Sequence, residues 1–113
     1  MKTDSDAALE RFVEGLKADR FDDYRVQPIG GNYDSDWHMA DWDGRFLVLG
    51  GYVELEIGGK KFSYAKGESY EVPANTRHRE VFPDGGSLII ARRSIGAPLP
   101  ELRAGSGSKV SLK

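Results

Sequence analysis

Few side chains in this 113-residue chain are equipped for chemistry. It has two histidines, His38 and His78, and no cysteine. Thiol catalysis, disulfide frameworks, iron–sulfur clusters and cysteine-based zinc sites are therefore excluded. What remains is imidazole combined with carboxylate. His78 and Glu80 are two residues apart in a run of strand character, so they point to one side. Asp36, His38 and Ala40 share one side of their own run for the same reason. Two imidazoles and a carboxylate are the minimum donor set for a first-row divalent metal with open positions. Plainer uses compete with that one. His38 can satisfy a hydrogen bond with a neighbouring Asp, and Glu80 can pair with Arg77 or Arg79 for ~0–1 kcal/mol.

The other candidates are ligand contacts. Tyr33, Trp42, Phe46 and Tyr70, with Trp37, have the flat surfaces that line a small-molecule pocket, and equally the bulk that fills a core. Of Arg92 and Arg93, at most one can face inward to clamp an anion, because neighbours on a strand face opposite ways. Gly58-Gly59-Lys60-Lys61 lacks the spacing of a phosphate loop.

These residues must be positioned by one helix and a series of short strands. Leu9, Phe12, Val13 and Leu16 recur at spacings of three and four, predicting a helix over about 6–18 with Asp4, Ser5 and Asp6 as caps. After Phe21 the pattern becomes short β-branched and aromatic runs, predicting strands near 24–29, 33–40, 45–49, 52–57, 61–64, 69–72, 78–82 and 87–93. Glycine pairs at 30–31, 50–51, 58–59 and 85–86 punctuate them, and Gly58-Gly59 reads as a tight hairpin. Val53, Leu55 and Ile57 alternate with Tyr52, Glu54 and Glu56, which gives one dry face and one wet face. Eight short strands at this spacing predict an all-β sandwich or small barrel with one α-helix. The expected division is a helix packing on the barrel over 1–22, a barrel over 23–95, and a Pro/Gly/Ser-containing tail over 96–113, where Val110 and Leu112 offer a further edge strand.

A net charge of -2 argues against nucleic acid as the main partner. No apolar run reaches the ~18 residues of a membrane span, and the polar, acidic start does not read as a secretion signal. A cytoplasmic domain without membrane attachment is expected.

Two stretches resemble the two motifs of the cupin superfamily, the small β-barrels of double-stranded helix (jelly-roll) topology, and the resemblance runs from about 24 to 93. In the second motif, Gly67, Pro73, Asn75 and His78 fall at the family spacings, with Asn75 in place of a glycine and Phe82 in place of the closing asparagine. The first motif fits two registers. One ends on Gly51, makes His38 the first histidine, and puts Ala40 and Gly44 where a histidine and a glutamate normally stand. The other ends on Gly50 and aligns Asp36, His38 and Asp43 with the ligand positions. Asp43 and His78-Arg79-Glu80 are also similar to members that carry an Asp beside the Glu position and a His-x-Glu in the second motif. The resemblance implies metal ligands drawn from His38, His78, Glu80, Asp43 and Asp36. It implies either one divalent transition metal (zinc, iron, manganese or nickel) or none.

Two functions follow as expectations. The first is a domain that holds a small polar molecule in the barrel mouth beside an eroded or non-standard metal site. The alternative is a metal-dependent enzyme of oxygenase, isomerase or decarboxylase type using His38, His78 and a carboxylate. A homodimer is expected, as in other single-domain members, and the tail after Gly96 offers a further partner surface.

Overall fold

The computed structural model of the chain describes residues 3–21 and 23–94. The expected tail, with Val110 and Leu112, lies outside the described residues. Helix α1 spans Asp4–Ala18 and starts earlier than the 6–18 expected. Its cap is Thr3, not the three residues that follow. The Thr3 hydroxyl accepts from the Asp6 N–H at 3.1 Å, and the Asp6 carboxylate accepts from the Thr3 N–H at 3.3 Å. This reciprocal box satisfies two backbone donors at once, which a cap at Asp4 or Asp6 would not. Phe12 and Leu16 are buried, whereas Leu9 is exposed, so the apolar stripe is narrower than its spacing suggested.

Among the described residues, seven strands follow: β1 (Asp23–Ile29), β2 (Tyr33–Asp34), β3 (Trp42–Ile57), β4 (Lys60–Ala65), β5 (Ser69–Val72), β6 (His78–Phe82) and β7 (Gly86–Ser94). All pair antiparallel. The first part of β3 lies between β7 and β5, and β1 lies outside β7, making one wall. The later part of β3 lies between β6 and β4, and β2 lies outside β6, making the second wall. Apart from the β3–β4 hairpin, every connection passes from one wall to the other. That is the jelly-roll topology, and β3 is the strand common to both walls.

Two of the expected strands, 45–49 and 52–57, are therefore one. Gly50-Gly51 makes a bend inside β3, not a hairpin. Val48 pairs with Leu88 and Gly50 with Ser87, leaving Leu49 as an extra residue. A one-residue bulge reverses side-chain parity. Phe46 and Val48 face inward before it, and Val53 and Leu55 after it. Gly51 has φ 74°, and a Cβ there would collide with the Gly85 carbonyl oxygen, so only glycine allows β3 and the start of β7 this close. The Gly58-Gly59 turn has φ 61° and 78° and joins paired Ile57 and Lys60, as a two-residue hairpin requires.

The expected strand 33–40 shrinks to two residues. Asp36 adopts φ 58°, and its N–H bonds to the Asp34 carboxylate at 2.9 Å, which turns the chain out of the ladder. Between the walls lie Phe46, Val48, Val53, Leu55, Tyr70, Val72, Phe82 and Leu88. On the outer face of the β1-β7-β3-β5 wall, α1 covers Leu47, Ile89 and Ala91 with Phe12 and Leu16. Among the described residues, no helix is long and apolar enough to cross a membrane.

The parity rule is testable. Leu55→Ala, at a site 2 % exposed, should cost about 2–5 kcal/mol in denaturant unfolding. Glu54→Ala, on the opposite face, should stay within about 0.5 kcal/mol. Equal losses would mean that the bulge does not reverse the faces.

Candidate metal centre

The chain after β2 leaves the ladder at Asp36 and rejoins it at one point. His38 and His78 exchange both backbone hydrogen bonds, at 3.0 and 2.9 Å, as an isolated antiparallel bridge. Directly opposed residues put their side chains on the same face. The two imidazoles accordingly meet, with ring centroids 4.2 Å apart and planes tilted by 56°.

Each ring is oriented from its own backbone. His38 Nδ1 lies 3.0 Å from the Asp36 carbonyl oxygen, and His78 Nδ1 lies 2.9 Å from that of Thr76. A carbonyl only accepts, so in both rings Nδ1–H is the donor, and Nε2 is the nitrogen that holds the lone pair when the ring is neutral. Glu80 follows on the inner side of β6, with Oε1 3.7 Å from His78 Nε2. Its other oxygen accepts from the Tyr70 hydroxyl at 2.7 Å, a bond that crosses from one wall to the other. The Glu80 N–H and C=O are held by the Ser35 hydroxyl and N–H at 2.8 and 2.9 Å. His38, His78 and Glu80 each offer a ligand atom within 4.8 Å of the others. His78 is buried, Glu80 partly so, and His38 exposed. The group therefore has one inner wall and one open side.

Electrostatics fit that picture. Burial acts to lower the His78 pKa, but Glu80 and the Thr76 carbonyl outweigh it and hold the value above the ordinary one. Burial and Glu80 together push the Tyr70 hydroxyl far up, so it stays a proton donor. Outside the barrel, Arg79 grips Asp34 through two bonds of 3.0 and 2.6 Å, and the Asp34 pKa falls to about 2. That fork ties β2, and the segment leading to His38, onto β6.

Other candidates lie elsewhere. Asp43 is on the outer face, accepting from the Ala74 N–H at 2.9 Å and from Arg93 at 2.9 and 3.3 Å. It locks the β5–β6 loop and does not join the group. Asp36 contributes its carbonyl to His38, while its carboxylate acts on Arg79. Of the expected ligand-contacting aromatics, Phe46 and Tyr70 are buried in the barrel and stacked at 4.7 Å, with Tyr64 on Tyr70 at 4.9 Å. Trp42 packs at the edge of this core, and Tyr33 is exposed with its ring edge-on to Phe82. Nothing in the sequence singles out Ser35 and Thr76, because one acts through a common hydroxyl and the other through its backbone. A cleft of about 430 Å³ between α1 and the outer wall contains Arg45, which pairs with Asp19 and Glu71 at 2.8 and 2.6 Å. It is separated from the histidines by the sheet.

The profile of the cupin domain family matches residues 25–90, more than half of the chain. The chain belongs to the cupin superfamily. Its fold is similar to an RmlC-like cupin from Shewanella frigidimarina, at 22% identity and TM-score 0.57 over 61% of this chain and 62% of that one. A cupin superfamily protein from Desulfitobacterium hafniense matches at 12% identity and TM-score 0.59 over 64% and 66%. A cupin-2 domain protein, also from S. frigidimarina, matches at 17% identity and TM-score 0.54 over 69% and 89%. The chain spans less than two thirds of the length of the first two. No curated protein matches the sequence.

The carboxylate of this group lies on β6 and not on β3. A Cβ at Gly44, the position that faces the barrel in β3, would lie 2.8–2.9 Å from the rings of Phe46 and Trp42. Aromatic rings thus fill the space that a glutamate side chain at this position would need, and the inward carboxylate comes from Glu80 on β6. Asn75, at φ 59°, makes the left-handed turn expected of it before His78 opens β6.

The charge coupling predicts a pH signature in the metal-free domain. The His78 pKa is raised, so its contribution to stability is fully present below the ordinary histidine range and is lost as pH rises through the folded value. Glu80→Gln should remove the counter-charge and let burial lower the His78 pKa. Proton NMR titration of the imidazole reads this, and an unchanged value would show that Glu80 does not act on His78.

Proposed function

We propose that this cupin domain binds a small molecule at a mononuclear divalent-metal centre formed by Nε2 of His38, Nε2 of His78 and the Glu80 carboxylate. The observation that carries the proposal is the bridge that sets both rings on one face, each with Nδ1–H committed to a carbonyl. An imidazole oriented in this way from its second nitrogen presents a basic, correctly aimed ligand atom. The Tyr70 hydroxyl performs the same service for Glu80. Metal–ligand bonds of ~2.0–2.2 Å need donor atoms ~3–4 Å apart, so binding draws the three ligand atoms together from the 4.8 Å within which they lie.

A bound divalent ion would supply Lewis acidity at its open positions. The protein contributes the rest. The stack of Phe46, Tyr70 and Tyr64 closes the barrel beneath the group and keeps water off its inner side. The open side at His38 admits the ligand. Two histidines and one carboxylate, with positions left free, also favour a second reading, a metal-dependent enzyme of oxygenase, isomerase or decarboxylase type.

Equilibrium dialysis against zinc or cobalt(II) should give one ion per chain. His78→Ala should weaken binding at least about 100-fold while far-UV circular dichroism keeps the wild-type shape, and Glu80→Gln should weaken it about 10-fold or more. Affinity should fall on acidification, beginning above the ordinary histidine range, because protons compete for His78. Less than about a tenth of an ion per chain, with no uptake on titration, would contradict the proposal.

A further inference from the structure

The strand registers assign a face to the charged strand residues near the histidines. The segment from His38 to Trp42 and the loop 73–77 pass between the walls together, joined by a 2.7 Å bond from the Asn75 N–H to the Ala40 carbonyl. The histidine on β6 and the first residues of β3 therefore stand at one end of the barrel. At that end Arg92 pairs with Gly44, whose Cβ position faces the interior, so Arg92 is inward. Its guanidinium lies 5.6 Å from the centre of the Trp42 ring, which itself covers Gly44. Arg93 faces outward, engaged with Asp43 and with the Asp19 carbonyl at 2.6 Å. The question that the adjacent arginines raise in the sequence is thus settled in favour of Arg92.

The same registers give the charge balance of the inner surface. Arg25 lies opposite Ile90, Asp23 opposite Arg92, and Lys60 opposite Ile57. Among the described strand residues, the inward cations at this end are Arg92, Arg25 and Lys60, and the inward acids are Asp23 and Glu80. Glu80 is committed to Tyr70 and the histidines. Asp23 holds Arg92 at 3.1 Å, but both are exposed, at 57% and 43%, so water or a competing carboxylate exchanges with it readily. The outward Arg79 is tied to Asp34 and Glu56, which leaves it no part in the mouth.

From this arrangement we infer that the small molecule of this cupin carries a carboxylate, which Arg92 receives above Trp42 while the rest of the molecule reaches across the mouth toward His38, His78 and Glu80. The inference deepens the metal-centre proposal and rests on it for the second contact. Guanidinium has five N–H donors in a planar fork, so it can hold a carboxylate on one edge and Asp23 on another. Trp42 supplies a flat apolar surface beside the charge. The walls of a β-sandwich stand ~10 Å apart, which suits a ligand of about one ring with its acid group. Arg25 adds positive potential without a direct role. Arg92 is the specificity-determining residue, since it fixes one end of the ligand.

The test uses ¹⁵N-labelled, zinc-loaded protein with benzoate as the probe and benzamide as its neutral isostere. The chain has two tryptophans, and Trp37→Phe assigns the indole N–H signal of Trp42. Benzoate should shift that signal saturably, with benzamide at least tenfold weaker. Arg92→Gln should weaken benzoate at least tenfold and leave zinc affinity within about twofold, while Arg92→Lys restores part of the loss. Equal binding of benzoate and benzamide, or benzoate binding unaffected by Arg92→Gln, would overturn the inference. If the protein takes no zinc but still binds benzoate through Arg92, the metal-centre proposal fails and the carboxylate site stands. If zinc binds and benzoate perturbs the histidines without dependence on Arg92, the metal centre stands and the carboxylate site fails.

Discussion

Two backbone hydrogen bonds between His38 and His78 hold this site together. On either side of that bridge the chain is irregular: Asp36 has just turned out of the ladder, and β3 does not begin until Trp42. Without the bridge, the backbone of residues 36–39 would have no bond to β6, and the first imidazole would not be held facing the second. The surrounding contacts converge on the same join. Arg79 grips Asp34, Ser35 brackets the backbone of Glu80, and the Ala40 carbonyl accepts from Asn75. Several modest bonds, none large alone, together hold a short loop to a strand.

The barrel beneath is less like an empty cup than a plugged one. Aromatic rings stack across the interior where an inward carboxylate from β3 would otherwise project. Burying those rings stabilises the fold through apolar area, and the same rings leave no room for a side chain at Gly44. The carboxylate instead comes from the neighbouring wall. Tyr70 links the two arrangements, with its ring part of the plug and its hydroxyl the partner of Glu80. Packing and the site are therefore coupled through one side chain.

Much of the fold is legible in the sequence because its signals are local. The alternation through Val53, Leu55 and Ile57, the Gly58-Gly59 turn and the Pro73–Asn75 turn each follow from neighbouring residue types. The bulge at Leu49 is not legible. It depends on how β7 pairs with β3, and Gly51 just beyond it is there for the close approach of Gly85 and Gly86. Thr3 does not stand out as the cap because the acids after it are equally good caps in isolation. In the site, His78 and Glu80 can be paired by strand parity. The place of His38 depends on a non-local bridge and can be inferred only from family resemblance. Asp43 resembles a ligand in type and spacing, but the parity of β3 turns it outward to Arg93.

The most direct measurement is anomalous diffraction from crystals of the zinc- or cobalt-loaded protein. One peak is predicted in the barrel mouth, about 2.0–2.2 Å from Nε2 of His38, Nε2 of His78 and a carboxylate oxygen of Glu80. A peak bound through Nδ1 of either ring, or located away from the bridged pair, would contradict it.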